Sequence, residues 1–367
     1  EKGGWDSFMD KEIHEDPAAV QRTLLGRLDK DGNINLDEIR IDEHEVKAID
    51  KIIVIACGTA AYAGMVAKYA IEHWVRIPVE VELAHEFRYR DPILTPRTLV
   101  VAISQSGETM DTLMALRHAR EQGSKVLAIC NTQGASIPRE SDAVLYTHAG
   151  PEVAVASTKA FVAQITAAYV LGLYLAQVKG AMYRDEIAQT LDSLKDMPRK
   201  IQWVLDTQTK TVQEAAKQMV DAKSFLFLGR HVGYPVAMEG ALKLKEISYI
   251  HSEAYASGEL KHGTISLIEP GTLVIALGTY GPLFDKAMSN VIEVKARGAS
   301  VLALTTENRR EDLASRVDGI LTIPETELPL LPLLGVVPLQ LFAYYVALQR
   351  GCDIDKPRNL AKSVTVE

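Results

Sequence analysis

Residues 98–113 read Thr-Leu-Val-Val-Ala-Ile-Ser-Gln-Ser-Gly-Glu-Thr-Met-Asp-Thr-Leu. The first six of them are mostly apolar, as in a strand that is buried on both faces of a parallel sheet. Met110 and Leu113 then begin the apolar spacing of an amphipathic helix. The sequence therefore predicts a strand, a polar turn at residues 104–109, and a helix.

This polar turn has the chemistry of an anion-binding site. The first turn of a helix leaves backbone N–H groups unpaired at the positive end of the helix dipole. Ser104, Ser106 and Thr109 would add hydroxyl donors, and Gly107 would let the backbone approach a ligand closely. An ordinary hydroxyl cap gives the same pattern, with Glu108 complementing the dipole. The turn lacks Gly-Lys-Thr and Gly-x-Gly-x-x-Gly, so we expect a small phosphorylated metabolite instead of a nucleotide.

Composition indicates a folded protein and argues against two classes of partner. The chain has 367 residues, 47% hydrophobic and 24% charged, which is enough for two α/β domains with full cores. Its formal net charge of -8 argues against nucleic acid and anionic membrane surfaces. The longest apolar run, residues 160–176, contains Gln164 and is typical of a buried helix. We therefore expect no nucleic-acid and no membrane partner.

The cysteines, Cys57, Cys130 and Cys352, lie far apart in the sequence. Three cysteines that are so far apart do not indicate a disulfide framework, and the histidines do not have the spacing of a metal site. The sequence thus predicts a cytoplasmic protein with no metal and no cofactor. There is no recognisable signal peptide and the first residue is Glu1, so we expect a fragment or a processed product.

Alternating strands and helices predict an α/β fold with parallel sheets. In the first half, apolar strand patterns lie at residues 51–56, 78–83, 98–103, 125–130 and 143–147. Four similar patterns begin at Ser224, Thr272, Ser300 and Asp318 in the second half. The first and third strands begin 47 residues apart in the first half and 48 in the second. This register predicts two tandem copies of one doubly wound, flavodoxin-like domain with a parallel five-stranded sheet flanked by helices.

The expected domains follow this repeat. They are a helical preface (1–50), a first copy that binds phosphate (51–195), a second copy (196–350) and a C-terminal tail (351–367). The second copy reads Gly-Thr-Tyr-Gly-Pro-Leu at residues 278–283, where the proline removes a backbone donor and the hydroxyl cluster is missing. Only the first copy is therefore expected to hold a phosphate.

Three further segments carry candidate chemistry. Glu239, Lys243 and Glu246 share one face of a predicted helix, which is either a solvated ion-pair stripe or, given its apolar flanks, the wall of a pocket. His262 lies in a glycine-flanked loop, as a surface side chain or as a catalyst. The tail has a disordered composition, yet it could equally fold back over a site with Lys362 as an amine nucleophile.

These motifs resemble a known family. The strand followed by Ser-Gln-Ser-Gly-Glu-Thr resembles the sugar isomerase (SIS) domain. Two copies of it, together with four further motifs, resemble the isomerase half of the glucosamine-6-phosphate synthases. Those motifs are Ala-Ser-Thr-Lys-Ala-Phe at 156–161, Glu-Gly-Ala-Leu-Lys-Leu-Lys-Glu-Ile-Ser at 239–248, Gly-Glu-Leu-Lys-His-Gly at 258–263, and Pro-Arg-Asn-Leu-Ala-Lys-Ser-Val-Thr-Val-Glu at 357–367.

The resemblance implies an activity and partners. Such an enzyme makes glucosamine 6-phosphate from fructose 6-phosphate, with ammonia from an N-terminal glutaminase domain that this sequence lacks. The chain would bind fructose 6-phosphate, open its ring and interconvert ketose and aldose, with glucose 6-phosphate as the product when ammonia is absent. A homodimer is expected. The alternatives are a non-catalytic SIS module that binds sugar phosphates and an SIS-type deglycase or deaminase.

The resemblance also assigns roles to individual residues. Lys362 matches the lysine that forms a Schiff base, Glu246 the base that moves a proton between C1 and C2, and Lys243 a site lysine. His262 matches the residue that assists ring opening, from its own subunit or from the dimer partner. The matching sugar-phosphate ligands are Thr59, Ser104, Gln105, Ser106, Thr109, Val155, Ser157 and Ala361. Ala60 replaces a serine of some relatives, which should weaken binding by about 1 kcal/mol.

Overall fold

The computed structural model describes residues 1–36, 38–279 and 281–367. The chain divides into two compact units that alternate along the sequence. The N-sheet unit consists of residues 18–152, 159–195 and 361–367, and the C-sheet unit consists of residues 1–17, 153–158 and 196–360. A compact unit need not coincide with a sequence repeat, so the predicted domain limits at residues 50, 195 and 350 stay predictions.

Two parallel five-stranded sheets form the centres of the units. Within the described residues the strands are β1 Lys51–Ala56, β2 Val79–Leu83, β3 Thr98–Ser104, β4 Lys125–Cys130, β5 Ala143–Tyr146, β6 Ser224–Gly229, β7 His251–Ala256, β8 Leu273–Gly278, β9 Ser300–Thr306 and β10 Gly319–Ile323. The strand orders are β2-β1-β3-β4-β5 and β10-β9-β8-β6-β7. Read from opposite ends, both sheets have the order 2-1-3-4-5 of a flavodoxin-like fold. The predicted repeat and fold class are thus confirmed.

Helices cover these sheets. In the same described ranges they are α1 Phe8–His14, α2 Asp16–Leu24, α3 Glu43–Ala48, α4 Thr59–Val75, α5 Ala84–Phe87, α6 Met110–Glu121, α7 Ser136–Glu140, α8 Lys159–Lys179, α9 Arg184–Gln218, α10 Gly233–Ser248, α11 Phe284–Ala296, α12 Arg310–Ala314 and α13 Leu331–Gln349. Short 3₁₀ segments include Ser257–His262. All seven residues of β3 are buried, as its apolar sequence predicts for a central strand of a doubly wound sheet.

Two helical stretches, Lys159–Lys179 and Leu328–Gln349, are long and apolar enough to cross a membrane by length and composition alone. Their apolar windows are 83% and 100% buried within the fold, as core helices also are. Helix α8 packs against α4 in the N-sheet unit, and α13 packs against α10 in the C-sheet unit. Their hydrophobicity is therefore accounted for by burial inside the protein.

The order of the N-sheet places two polar turns side by side. β1 pairs with β3 in parallel, and β2 and β4 extend the sheet in opposite directions from that pair. Ligands of doubly wound sheets bind where the strand order reverses, beyond the carboxyl ends of the strands. The turns that follow β1 and β3 begin at Cys57 and after Ser104, so both lie at this position.

Candidate functional site

The turn at residues 104–109 is held by its own hydrogen bonds. The buried hydroxyl of Ser104 accepts a hydrogen bond from the Gly107 N–H at 3.0 Å and lies 2.9 Å from the hydroxyl oxygen of Thr109. The Ser106 hydroxyl accepts the Glu108 N–H at 3.2 Å. Ser104 therefore shapes the turn, while Ser106 and Thr109 are only half-buried.

Gly107 is required by the shape of the turn. Its φ is +70°, in the left-handed region where a side chain is unfavourable. A Cβ atom there would lie 2.6 Å from the Cβ of Ala135 and 2.9 Å from the sulfur of Cys130. The Gly107 carbonyl also accepts the Ile137 N–H at 2.9 Å. The turn is consequently packed against the connection between β4 and α7.

Glu108 points to that same connection. Its carboxylate accepts the backbone N–H of Ser136 at 2.8 Å and the Ser136 hydroxyl at 2.7 Å. The bond from the hydroxyl contributes most, and the bond from the N–H contributes next, to lowering the pKa of Glu108 below its usual value. The side chain therefore bonds to the start of α7 and does not serve merely as a charge at the start of α6.

The neighbouring turn follows β1. Gly58 has a φ of +58° with open space around its α-carbon, and Thr59 begins helix α4. Cys57 precedes them, with its sulfur 3.8 Å from the Thr112 hydroxyl, and burial raises the pKa of its thiol. Ala60 is half-buried in the first turn of α4. Thr59 and the turn after β3 thus occupy adjoining strand ends of one unit.

The end of the chain is tied to the N-sheet unit at three points. The Val364 carbonyl accepts the N–H of Met110, the first residue of α6, at 3.0 Å. Glu367 forms an ion pair with Arg88. Lys362 precedes these two tail residues in the sequence, and its amine lies 2.5 Å from a carboxylate oxygen of Glu152. A disordered tail is therefore excluded for this segment, and its amine belongs to the same unit as the turn at residues 104–109.

Glu152 is a residue that the sequence analysis missed. Its side chain is fully buried, and its second carboxylate oxygen accepts the Ala160 N–H at 2.8 Å, near the start of α8. One carboxylate thus holds both a helix N-terminus and the Lys362 amine. The available signal was a glutamate shortly before a long apolar helix, which is a common arrangement at helix N-termini.

In the C-sheet unit, α10 carries a compact charged cluster. The Lys243 amine lies 3.4 Å from Glu239 and 3.1 Å from Glu246, and the Lys243 and Glu239 side chains are 1% and 0% exposed. Glu246 is 18% exposed, so it is the member of the cluster that solvent or a ligand can reach. The interpretation of this face as a solvated stripe is therefore wrong.

His262 lies on the 3₁₀ segment Ser257–His262 with an exposed side chain. Within the described part of the chain this side chain makes no hydrogen bond or ion pair. Its neighbour Lys261 pairs with Glu293 of α11 at 3.1 Å, and Gly263 follows with a φ of +134°. The histidine is thus carried on an anchored segment, and its surroundings alone give it no defined proton-transfer role.

The last two predicted ligands precede α8. Val155 donates its N–H to the Asp355 carbonyl at 3.1 Å, and Ser157 is half-buried. The buried carboxylate of Glu12 accepts the N–H groups of residues 153 and 154 at 2.6 and 3.0 Å. This short segment therefore has a fixed backbone.

The predicted residues divide between the units. The N-sheet unit contains Thr59, Ser104, Gln105, Ser106, Thr109, Ala361 and Lys362, and the C-sheet unit contains Val155, Ser157, Lys243, Glu246 and His262. Across the described ranges, no group of three or more His, Cys, Asp or Glu side chains is arranged to hold a metal ion. The N-sheet unit supplies a turn with hydroxyl groups, an amine and a buried carboxylate, and the C-sheet unit supplies a second amine, carboxylates and an imidazole.

Comparison with known proteins adds the family. The model of the SIS domain matches residues 46–174 and 218–350, which together make up more than half of the chain. This chain belongs to the SIS domain family. Each of the two SIS matches covers one of the five-stranded sheets.

Several relatives of this SIS chain carry a named activity. The glutamine–fructose-6-phosphate aminotransferase (isomerizing) of Corynebacterium efficiens is 62% identical over 371 residues, and that of Streptomyces coelicolor is 57% identical. The match covers all of this SIS chain, but it covers only 59% and 60% of the length of those two proteins. The chain therefore spans about three fifths of the curated relatives that it matches.

Solved structures agree with these relatives. The C-terminal domain of glucosamine-fructose-6-phosphate aminotransferase from Francisella tularensis has a TM-score of 0.92 and 39% identity, over 97% of this SIS chain and all of that domain. A glucosamine-6-phosphate deaminase from Thermotoga maritima has a TM-score of 0.77 at 23% identity, which shows a shared fold only. The similarity to the aminotransferase of Francisella tularensis thus lies in its C-terminal domain.

Proposed function

We propose that this chain is the isomerase half of a glutamine–fructose-6-phosphate aminotransferase, and that it binds fructose 6-phosphate. The observation that carries the proposal is the Lys362 amine, held 2.5 Å from a buried carboxylate in the unit that also contains the anion-binding turn. A sugar-phosphate binding module would need the turn but no amine. A nucleophilic amine is what Schiff-base chemistry on a ketose requires.

In this proposal the N-sheet unit anchors the phosphate and supplies the nucleophile. Thr59, Gln105, Ser106 and Thr109 hold the phosphate, and His262 assists ring opening. The Lys362 ammonium passes a proton to the adjacent Glu152 carboxylate, and the neutral amine attacks C2 of the open ketose. The proton returns from Glu152 as the C2 oxygen leaves as water, so that a protonated imine forms. Ammonia then replaces the lysine at C2 and regenerates the amine.

Glu246 supplies the proton transfer. It removes a proton from C1, and a C1–C2 double bond forms as the electron pair of the C2=N or C2=O bond moves to the heteroatom. The proton then returns at C2, while the C1 hydroxyl gives its proton to that heteroatom and becomes the aldehyde. Such general-base catalysis contributes typically about 10²- to 10⁴-fold. With nitrogen at C2 the product is glucosamine 6-phosphate, and the same transfer on the free ketose passes through an enediol to glucose 6-phosphate. Lys243, paired with Glu246 at 3.1 Å, holds this carboxylate in place.

The partners in the proposal follow from the length of the relatives. The remaining two fifths of an aminotransferase would contain a glutaminase domain that supplies ammonia. The protein would work as a cytoplasmic homodimer without a metal or other cofactor.

The first assay tests the isomerase activity directly. The chain is incubated with fructose 6-phosphate, and we expect glucose 6-phosphate to form, with no consumption of added glutamine.

The role of Glu246 is tested by Glu246→Gln. We expect isomerisation to be lost while fructose 6-phosphate still binds, as measured by calorimetry. The matched control is Glu253→Gln, which removes an exposed carboxylate 3.7 Å from Lys245 in the same unit and should keep wild-type turnover. Wild-type turnover in the Glu246 variant would refute its role as the base.

The role of Lys362 is tested by borohydride trapping in the presence of fructose 6-phosphate. Reduction of the imine should attach the sugar to Lys362, and peptide mass spectrometry would locate it. Lys362→Met should abolish the label, whereas Lys356→Met, an exposed lysine earlier in the tail, should retain it. A label on another lysine would contradict the proposed chemistry.

A further inference from the structure

Glu108 occupies an unexpected place for an acidic residue. It lies between Ser106 and Thr109, which are both proposed phosphate ligands, and a free carboxylate there would repel a phosphate. The structure turns this carboxylate to Ser136 instead, where it accepts bonds of 2.8 and 2.7 Å from the N–H and the hydroxyl. Its negative charge is thus bonded to the first residue of α7.

The backbone on either side of Ser106 is bonded to the same region. The Gln105 carbonyl accepts the Asn131 N–H at 3.3 Å, and the Gly107 carbonyl accepts the Ile137 N–H at 2.9 Å. The Ser106 hydroxyl accepts the N–H of Glu108 itself at 3.2 Å. A displacement of Glu108 would therefore move a proposed phosphate ligand directly.

We propose that Glu108 is a positioning residue for sugar-phosphate binding, and that its carboxylate and Ser136 form a clamp that holds the turn in its anion-binding shape. This inference rests on the proposed function, but it concerns binding and not the proton transfer. The clamp keeps the turn formed before the ligand arrives and keeps the carboxylate away from the phosphate. Both effects act on affinity, since a site that is formed only part of the time binds with an affinity reduced by that fraction.

The test is a set of variants examined by steady-state kinetics with fructose 6-phosphate. E108Q keeps the shape of the side chain but replaces the charged carboxylate by an amide, so that the two charge-assisted bonds from Ser136 are replaced by weaker neutral ones, of which the amide oxygen accepts only the first. We expect KM to rise about tenfold with kcat within about twofold, which corresponds to a turn that is formed a tenth of the time. S136A loses only the hydroxyl bond and should raise KM about threefold, a smaller loss than that of both bonds. S136T, unlike S136A, keeps a hydroxyl at this position and should have the wild-type KM. The double variant should be no worse than E108Q, because both changes break one clamp.

The matched control lies on the same short helix. Glu140 accepts bonds of 2.7 and 2.9 Å from Arg117, at the far end of α7 from Ser136. E140Q also removes one carboxylate bonded through both oxygens, so a general loosening of α7 would appear in this variant as well. We expect its KM to stay at the wild-type value.

Binding of inorganic phosphate, measured by calorimetry, separates this inference from the proposed function. If wild type isomerises fructose 6-phosphate and both E108Q and S136A keep the wild-type KM, the clamp is refuted and the function stands. If wild type does not isomerise but E108Q binds phosphate about tenfold more weakly, the function fails and the clamp stands. A fall in kcat with an unchanged KM, or equal effects in E140Q, would also overturn the clamp.

Discussion

Replacing Gly107 by alanine should destabilise the N-sheet unit through two separate effects. At a φ of +70°, a non-glycine residue costs about 1–2 kcal/mol. The new Cβ would also lie 2.6 Å from the Cβ of Ala135 and 3.1 Å from Cδ of Pro138. Neither neighbour is the end of a flexible side chain, so the contact adds an overpacking cost of about 1–3 kcal/mol. We therefore expect a total loss of about 2–5 kcal/mol in the free energy of unfolding.

Gly134 provides the control for this experiment. It lies in the loop after β4, has a φ of +76°, and has no atom within 4 Å of the position of a Cβ. Gly134→Ala should thus lose only the conformational term of about 1–2 kcal/mol. Urea unfolding followed by circular dichroism measures both losses, and phosphate calorimetry tests the turn directly. Equal losses in the two variants would refute the packing of the turn against the β4–α7 connection.

Three further outcomes are expected. In Glu152→Gln the side chain cannot accept bonds from both the Ala160 N–H and the Lys362 amine. The free energy of unfolding should therefore fall by about 1–3 kcal/mol, and less sugar should be attached to Lys362 in the borohydride experiment. The stability that Glu108 adds through its lowered pKa is present above about pH 4.5 and is lost as the pH falls through the folded pKa, so melting temperatures of wild type and E108Q should converge at low pH. Burial raises the pKa of the Cys130 thiol to about 11, so a thiol reagent at pH 8 should label it only after unfolding, as peptide mass spectrometry would show.

The fold was predictable because the strands bury apolar side chains on both faces. β1 and β4 have the bounds that the sequence indicates, and β3 is one residue longer. The missed strand is β7, His-Ser-Glu-Ala-Tyr-Ala, which lies at the edge of its sheet and is mostly half-buried. An edge strand needs few apolar residues, so its pattern is weak. Tyr280, in the sequence segment 278–283 after β8, lies outside the described residues.

The candidate site was predictable to a smaller extent. The turn at residues 104–109 follows from a strand, a glycine and hydroxyls that are contiguous in sequence. The partners Glu152 and Ser136 are 210 and 28 residues from Lys362 and Glu108, and local patterns carry no signal for such pairs. The tail is polar in composition, and only the contacts of Val364 and Glu367 show that it is ordered.

The alternation of the chain between the two units has a consequence for biosynthesis. The five strands of the N-sheet leave the ribosome first, but residues 361–367 of the same unit follow only after every strand of the other sheet. A chain interrupted before residue 361 has the complete first sheet and lacks the amine of Lys362. On the proposed chemistry, such an incomplete translation product could hold a sugar phosphate but could not attack it, so covalent reactivity arises only after residues 361–367 have been made.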